Sequence, residues 1–561
     1  MKKSLFLIVP LLFFSTWIAA QDHESLTNQA NEELKKKNYY RAAELATQAI
    51  GKKATARAYL IRGDSRYYLG DNQAAIDDYN SALANYYEYY GSDEKEKGPT
   101  YYYRGRAKQK LERYSEAVSD FNTSLSYNYD EPGYVYWNRG ACYYKQGMYK
   151  EAAADYQNAA SRITDAADLS DIYKDWGDAQ AKMENLSDAY AKYATAISYD
   201  PTNYNAYWQR GFYKDREYKL EEALADYTKA IETLSGTSGT NKNKNMATLH
   251  RNKALVLNDL GRYNDALTEI NQSIQFNTTY SDAYRTRGYI HEMLKNYDKA
   301  VSDYENALTL QSDPKKKAEI YYSRAYAYRS WLNYKNALED LGKGIALDPD
   351  YGLLYWHRSI IFGNQKKYGD AIREANTALN KYYDSSSKAS LYWLRASHKD
   401  LSGDFNGAMD DYKTYLAYYP NSSNAYYEMG RLMKTKLKNN DLARINLDKA
   451  EELAIKYKDS TRLAYIFYFN DKKEEAIKLM QTVTENSRDK KYNYKWNLHN
   501  LACLYSMAGN TTKGLEYLDK SLAAGFDDFQ HLLHDRDLVN IMKQAQWKTI
   551  LAKYKVPIVK N

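Results

Sequence analysis

The sequence predicts an all-α fold, built as a solenoid of about fourteen helix-turn-helix repeats. Three observations predict it. A two-helix pattern recurs through most of the 561 residues, a small residue returns in the first helix of each copy, and an alanine returns in the second helix of most copies. A hairpin of this size cannot bury its apolar face alone, so its copies must stack on one another.

The clearest copy of the repeat runs from Tyr284 to Leu308. Its first helix places Tyr284, Gly288 and His291 on one face, and its second helix begins at Tyr297. These spacings follow the period of about 3.6 residues per helical turn. Because a bulky ring at the start of each helix requires a small residue opposite it, we expect Gly288, Ala300 and Ala307 to provide that space.

The small residue at Gly288 has a counterpart in every copy. The fourteen positions are Ala30, Gly63, Gly105, Gly140, Gly177, Gly211, Ala254, Gly288, Ala325, Ser359, Ala396, Gly430, Ala464 and Ala502, and we call them the reference positions. Five of the thirteen intervals are 34 residues. This period and pattern resemble the tetratricopeptide repeat family from about Leu26 to Leu522. The resemblance implies a right-handed superhelical α-solenoid whose first helices face a concave groove.

The first twenty residues have a different composition from the repeats. Lys2 and Lys3 precede an apolar run from Leu5 to Phe14, and small residues follow it. This pattern is typical of a secretory signal peptide cleaved before Gln21, with an uncleaved anchor as the alternative. We therefore expect an exported, periplasmic protein, with secretion or peripheral association with the envelope as alternatives. No later segment approaches ~20 apolar residues, so no transmembrane segment is expected after cleavage.

The sequence predicts five parts. They are the signal peptide at 1–20, an N-terminal array of six repeats at 21–233, a flexible loop at 234–246, a C-terminal array of eight repeats at 247–525, and a helical C-terminal cap at 526–561. Gly, Ser and Asn predict the loop. The twelfth and thirteenth repeats are degenerate, and the twelfth has one extra residue before Leu447. Leu533, Ile541 and Trp547 predict cap helices that cover the last repeat.

A charge correlation runs through nine repeats. A base stands one residue before the reference position, and an acid stands sixteen residues after the base. The pairs are Arg62 with Asp78, Arg104 with Asp120, Arg139 with Asp155, Arg210 with Asp226, Lys253 with Glu269, Arg287 with Asp303, Arg324 with Asp340, Arg358 with Glu374, and Arg395 with Asp411. We predict that each base and acid meet between the two helices of one repeat and fix their register. A site for an anionic ligand is the alternative.

Large aromatic residues recur three positions before the reference positions. They are Tyr102, Trp137, Trp208, Tyr322, Trp356, Trp393 and Tyr427. In the family that the sequence resembles, this position faces the concave groove, so the resemblance implies an aromatic groove that binds partners. Rigid rings are good anchors because they bury area with little loss of entropy. Alternatively, the rings simply pack between neighbouring first helices.

Residues for catalysis or metal binding are sparse. His531 and His534, with Asp535 and Asp537, have helical spacing, but no third strong ligand is visible nearby in the sequence, so we predict no metal site. No phosphate-binding loop or nucleophile motif appears, and we expect neither catalytic residues nor a cofactor. The formal net charge is +7. No helix carries Lys and Arg as a stripe along one side, so a nucleic-acid partner is not expected.

Together these patterns predict a non-enzymatic protein–protein interaction scaffold or assembly factor of the cell envelope, which holds partner peptides in its groove. The step from fold to partner binding is analogy. The alternative is a solenoid that binds peptidoglycan or another polysaccharide with the same rings. An enzyme would need a catalytic domain, and no stretch outside the repeats is long enough to form one. Cys142 and Cys503 are predicted to be buried thiols without a disulfide.

Overall fold

The structure is a computed structural model that describes residues 8–86, 97–382 and 384–557. Its contacts divide the chain into two compact units, which we call unit 1 (Met1–Phe276) and unit 2 (Asn277–Asn561). Residues 1–7 of the predicted signal peptide lie outside the described ranges, and the following residues belong to the first helix. The predicted division into six and eight repeats stays a prediction.

Unit 1 consists of seven consecutive helix pairs in the part that the structure describes. They are α1 (Ile8–Lys35) with α2 (Tyr39–Lys52), α3 (Ala56–Leu69) with α4 (Asn72–Ala84), α5 (Lys97–Lys110) with α6 (Tyr114–Ser126), α7 (Pro132–Lys145) with α8 (Tyr149–Ala160), α9 (Ala166–Lys182) with α10 (Leu186–Tyr199), α11 (Tyr204–Arg216) with α12 (Leu220–Ser235), and α13 (Lys242–Asp259) with α14 (Tyr263–Phe276). Because α12 ends at Ser235 and α13 begins at Lys242, the connection is shorter than the predicted loop at 234–246.

Unit 2 repeats this arrangement with seven more described pairs. They are α15 (Ser281–Met293) with α16 (Tyr297–Leu310), α17 (Pro314–Ser330) with α18 (Tyr334–Leu347), α19 (Gly352–Asn364) with α20 (Tyr368–Leu379), α21 (Ser385–Ser402) with α22 (Phe405–Tyr418), α23 (Ser423–Leu432) with α24 (Asn440–Lys456), α25 (Ser460–Phe469) with α26 (Lys473–Glu485), and α27 (Lys491–Met507) with α28 (Thr511–Ala523). Three short helices follow: α29 (Phe529–His534), α30 (Val539–Met542) and α31 (Ala545–Lys553). The fourteen predicted repeats are therefore confirmed as helix pairs.

Six of the glycine reference positions lie against an aromatic ring of the second helix. A Cβ atom on Gly288 would lie 2.9 Å from Cε1 of Tyr304, and one on Gly177 would lie 2.7 Å from Cε1 of Tyr193. Both rings are buried. Because protein interiors are close-packed, such a ring fits only where the first helix carries no Cβ atom. The predicted role of Gly288 as a gap for a ring is confirmed, but the ring is that of Tyr304 within the second helix and not a ring at the start of a helix.

A residue with left-handed backbone ends the first helix of each pair. It stands seven positions after the reference position, as at Gly70 (φ 87°) and Lys295 (φ 61°). In the twelfth pair it is Lys438, one position later, because a π-helical turn at Met433–Leu437 holds one additional residue. Such single-turn π segments take up an insertion without ending the helix. The predicted extra residue before Leu447 is thus confirmed and located.

All nine predicted base–acid pairs form, with closest N–O distances of 2.5 to 2.8 Å. In one of them, Nε and Nη2 of Arg139 each donate to a carboxylate oxygen of Asp155 at 2.7 Å. The Asp155 side chain is buried. A bidentate pair of this kind fixes the relative position of two helices, whether or not it adds net stability. The charge of these nine bases is therefore matched inside the repeat, which indicates a structural role for them and not a site for an anionic ligand.

Candidate functional site

The chain after the last repeat turns back over unit 2. Gly525 (φ 87°) ends the repeat, and residues 526–538, which we call the return segment, comprise α29 and a short 3₁₀ turn at Arg536–Leu538. Asp527 forms an ion pair with Lys295, 232 residues earlier in the chain. The His534 ring lies 6.0 Å from the Tyr334 ring. The return segment therefore reaches the first two helix pairs of unit 2.

The helices after the return segment behave as a cap. α30 and α31 contact α27 and α28, and Ile541 and Trp547 belong to the same apolar cluster as Leu518 of α28. The sequence assigned Leu533 to this cap as well. In the structure, Leu533 packs against this cluster, as predicted, and also against the apolar cluster that contains Leu332. Helical periodicity indicates that a residue is buried, but it does not indicate which element covers it.

A cavity of about 690 Å³ lies between the return segment and the first helices of unit 2. Its lining residues come from the first helices α17, α19, α21, α23, α25 and α27, from Tyr412 of the second helix α22, and from the return segment. We call this surface of the first helices the inner face. Its wall combines rings, such as Trp393 and Tyr427, with charged groups, such as Glu428 and Arg462.

Arg536 is the main polar anchor of the return segment. Its Nη1 donates to Oδ2 of Asp400 at 2.9 Å, and its Nη2 donates to Oε1 of Glu428 at 2.7 Å. Arg431 also donates to both carboxylates, with a distance of 2.8 Å between its Nε and Oε2 of Glu428. Two guanidinium groups and two carboxylates therefore balance each other in charge. Asp400, Glu428 and Arg431 are each buried, with at most 8% of their surface exposed.

This network changes the pKa of Glu428 and of Arg431. Burial alone would raise the pKa of Glu428, but the adjacent Arg536 and Arg431 outweigh burial and lower that pKa to about 2. Conversely, burial lowers the pKa of Arg431, and Glu428 and Asp400 raise it above its ordinary value. Glu428 is therefore ionised at neutral pH. If Arg536 left, Asp400 and Glu428 would face one guanidinium group instead of two, and the pocket would be acidic.

A second polar cluster joins the return segment to α27. Asp535 accepts a hydrogen bond from Nε2 of His499 at 2.9 Å, and it lies 3.3 Å from Nε2 of His531. The thiol of Cys503 is 3.4 Å from the same carboxylate. Burial raises the pKa of Asp535, but the hydrogen bonds from His499 and His531 outweigh it and hold that pKa well below its usual range. Both Cys142 and Cys503 are buried free thiols, as predicted.

The seven predicted groove rings differ in how deeply they are buried and in whether they line the cavity. Tyr102 and Tyr427 are buried, with 5% and 3% of their surface exposed, and the other five are half-buried. Of the seven, Trp393 and Tyr427 line the cavity of unit 2. Their role in partner binding stays a prediction.

The remaining five rings have neighbours within their own units. Nε1 of Trp137 donates to Oδ2 of Asp175 at 2.8 Å, and the Tyr102 ring stacks on Tyr129 at 5.2 Å. Trp208 packs on the apolar cluster of α11 to α13. The hydroxyl of Tyr322 lies 3.1 Å from Nε2 of His357, and the ring of Trp356 meets the ring of Tyr382 edge-on. Packing between first helices therefore accounts for part of the set.

Reasoning from the sequence missed the residues that hold the return segment. Asp400 and Glu428 stand outside the recurring base–acid positions, and nothing in the repeat pattern marks them. A usable signal was present in the tail, where Asp535, Arg536 and Asp537 interrupt residues that read as an apolar cap. Three adjacent charges in a segment that must be buried require partners elsewhere.

Comparisons with known proteins place these helix pairs in a family. Sequence models of the tetratricopeptide repeat match residues 27–88, 133–163, 281–314 and 318–351. These ranges coincide with the pairs α1 to α4, α7 with α8, α15 with α16, and α17 with α18. The fold defines an α-solenoid of stacked helix pairs. The matched helix pairs belong to the tetratricopeptide repeat family, an architecture of protein-interaction scaffolds.

Individual relatives share only short stretches with this chain. Serine/threonine-protein phosphatase 5 of Rattus norvegicus is 30% identical over 126 residues, which make up 22% of this chain and 24% of the phosphatase. Heat shock protein STI1 of Saccharomyces cerevisiae is 31% identical over 103 residues, or 18% of this chain and 17% of STI1. The chain thus spans a quarter or less of these curated relatives.

The structure of yeast Tom70 is also similar. The similarity covers 83% of this chain and 98% of Tom70, at 16% identity and a TM-score of 0.38. Within the described ranges, no helix combines the length and the apolar character that crossing a bilayer requires.

Proposed function

We propose that this protein is a non-enzymatic scaffold that binds a peptide segment of a partner protein on the inner face of unit 2. One observation carries the proposal: the inner face holds a segment of its own chain through Arg536, beside a cavity of about 690 Å³. The return segment is then the internal occupant that a partner replaces. Displacing the return segment costs free energy, so a partner binds less tightly than it would bind an empty face.

The chemistry of the pocket defines the partner. Asp400 and Glu428 accept a guanidinium group, and the neighbouring cluster around Leu332 accepts an aliphatic side chain, as it accepts Leu533. We therefore expect a partner segment that presents an arginine close to a leucine or a similar residue. Trp393 and Tyr427 border the same cavity and supply aromatic surface for the rest of the segment.

The direct test uses full-length chain in which Arg536→Glu places a carboxylate against Asp400 and Glu428 and releases the return segment. A fluorescent synthetic peptide of residues 526–538 is added in trans, in buffer with a chelator. We expect the variant to bind this peptide at least about tenfold more tightly than the wild type, because an internal occupant lowers apparent affinity by the fraction of free sites.

The matched control is the same peptide carrying Arg536→Glu, which should not bind to the variant chain. Equal binding of both peptides, or no binding of either, would contradict a guanidinium-selective face. In the variant chain, Trp393→Ala should weaken binding of the native peptide by about 1–3 kcal/mol if the ring contacts the occupant. Binding to purified peptidoglycan with no binding to the peptide would favour the glycan alternative.

The setting of this scaffold is part of the proposal. The basic and apolar pattern of residues 1–20 supports export to the cell envelope. Cell fractionation, together with N-terminal sequencing of the mature protein, tests it. A mature chain that begins at Gln21 in the periplasmic fraction is expected, and an intact Met1 in the cytoplasmic fraction would contradict export.

A further inference from the structure

Two side chains of α27 and two of the return segment converge beside Trp496. His499 and Cys503 are four residues apart on α27, and His531 and Asp535 are four residues apart across the end of α29. Residues at this spacing lie on the same face of a helix. Each element therefore presents two potential metal ligands to the other.

The donor atoms have the spacing of a metal site. Oδ2 of Asp535 lies 2.9 Å from Nε2 of His499, 3.3 Å from Nε2 of His531, and 3.4 Å from Sγ of Cys503. The corners of a tetrahedron around zinc, with ligand bonds of about 2.0–2.3 Å, are about 3.3–3.8 Å apart. The donor atoms of His499, Cys503 and Asp535 also lie within 4.8 Å of one another. His531 contacts this group of three through Asp535, so small adjustments of the three side chains and a rotation of His531 toward them would bring the four donors to zinc geometry.

We propose that His499, Cys503, His531 and Asp535 form a binding site for Zn²⁺. A thiolate, two imidazoles and a carboxylate suit zinc, whereas Ca²⁺ and Mg²⁺ require sites built from oxygen. Four protein ligands give a closed, structural site instead of a catalytic one. On binding, the thiol of Cys503 releases its proton to solvent, and each imidazole keeps its proton on Nδ1 while Nε2 binds the metal.

The cluster is buried on the side of α27 and reaches solvent at His531. His499 and Cys503 are each 1% exposed, whereas the side chain of His531 is 47% exposed at the edge of the cluster. Metal affinity should increase with pH, because binding displaces the proton of the Cys503 thiol.

The site has a structural consequence. Two ligands belong to α27 and two to the return segment, so the metal joins them and holds the segment on the inner face. This regulatory consequence rests on the proposed function, whereas the metal site itself does not. A failure of metal binding would therefore leave the peptide experiment unaffected, and the reverse also holds.

The test titrates chelator-treated, full-length protein with Zn²⁺ by calorimetry, and with Co²⁺ by absorption spectroscopy, in a reductant that does not bind metals. We expect one ion per chain, and a Co²⁺ spectrum with a sulfur charge-transfer band and tetrahedral ligand-field bands. Cys503→Ser should remove the charge-transfer band. Since loss of a second-shell partner alone costs about 10–100-fold in affinity, loss of a ligand should weaken binding by about 100-fold or more.

Two further variants distinguish the loss of a metal ligand from misfolding of the chain. His531→Ala changes an exposed ligand and should weaken zinc binding without lowering the helical circular dichroism signal. His534→Ala is the matched control on the same helix, because its Nδ1 contacts the carbonyl oxygen of Gln530 and not the cluster. Absence of zinc binding by the wild type, or affinity unchanged in both Cys503→Ser and His531→Ala, would overturn the proposal, as would loss of binding in His534→Ala alone.

Discussion

Units 1 and 2 are built from the same helix pair, used seven times in the described part of each, but they use their first helices differently. In unit 1, Trp137 on the first helix α7 donates its indole hydrogen to Asp175 on the next first helix, α9. In unit 2, Trp393 occupies the equivalent position of α21 and lines a cavity that the return segment helps to enclose. The same repeat position therefore supports packing in one unit and borders a candidate site in the other.

The two units share the local geometry of the repeat and differ in the residues that hold the return segment. Glycine against a ring, the base–acid pair and the left-handed turn residue recur in both units and set local geometry. The groups that hold the return segment, Asp400 and Glu428, belong to unit 2 and to no recurring position. Function in such an array is therefore expected from residues that depart from the repeat pattern.

The largest expected effect comes from breaking the charge network of unit 2. Glu428→Ala leaves Arg431 and Arg536 with Asp400 as their common carboxylate, and removal of one partner from a buried network costs about 3–5 kcal/mol. Hydrogen exchange under denaturant, which reports each unit separately, should show this loss in unit 2 and none in unit 1. The matched control is Glu116→Ala in unit 1, which removes an exposed partner of Arg113 and should leave both units unchanged.

Acidification should weaken unit 2 through the same carboxylate. The pKa of Glu428 is about 2 in the folded chain against an ordinary 4.5, so its contribution is complete above pH 4.5 and is lost as the pH falls towards 2. A shift of this size corresponds to about 3 kcal/mol. The free energy of unfolding of unit 2, measured against pH, should fall less steeply in Glu428→Gln than in the wild type. Identical slopes would contradict the assigned role of Glu428.

Glycine substitutions should affect the two units equally. Gly177→Ala in unit 1 and Gly288→Ala in unit 2 each place a Cβ atom within 3 Å of a tyrosine ring, and overpacking of this kind costs about 1–3 kcal/mol. Gly342→Ala is the control, because a Cβ atom there meets nothing within 4 Å and a helical alanine is favoured over glycine by up to about 1 kcal/mol. Thermal unfolding measures all three. A stabilising Gly177→Ala would contradict the packing argument.

The smallest effect is expected at the outer end of the return segment. Lys295→Ala removes an exposed ion pair with Asp527, and such pairs contribute about 0.2–1 kcal/mol. Asp527 also contacts Lys495 at 2.7 Å, so a partner remains. Peptide binding in trans should change less than twofold relative to the wild type. A change as large as the tenfold gain expected for Arg536→Glu would transfer the main anchor from Arg536 to Asp527.

The sequence predicted the fold far better than the site. Period, reference residues and base–acid spacing are local properties, and they correctly predicted the fourteen helix pairs, all nine ion pairs and the extra residue near Leu447. The return of residues 526–538 depends on contacts across more than 200 residues, which no local period encodes. The same limit applies to the cluster of His499 and Cys503 with His531 and Asp535. Residues of α27 meet residues of the return segment only in the folded chain.

The most direct test of the central claim is amide hydrogen exchange of residues 527–538 in the full-length wild type. If the return segment occupies the inner face, the amides of α29 will be protected, and Arg536→Glu will abolish that protection while exchange in unit 1 stays unchanged. Rapid exchange of these amides in the wild type, at the rate of an unfolded peptide, would contradict the account.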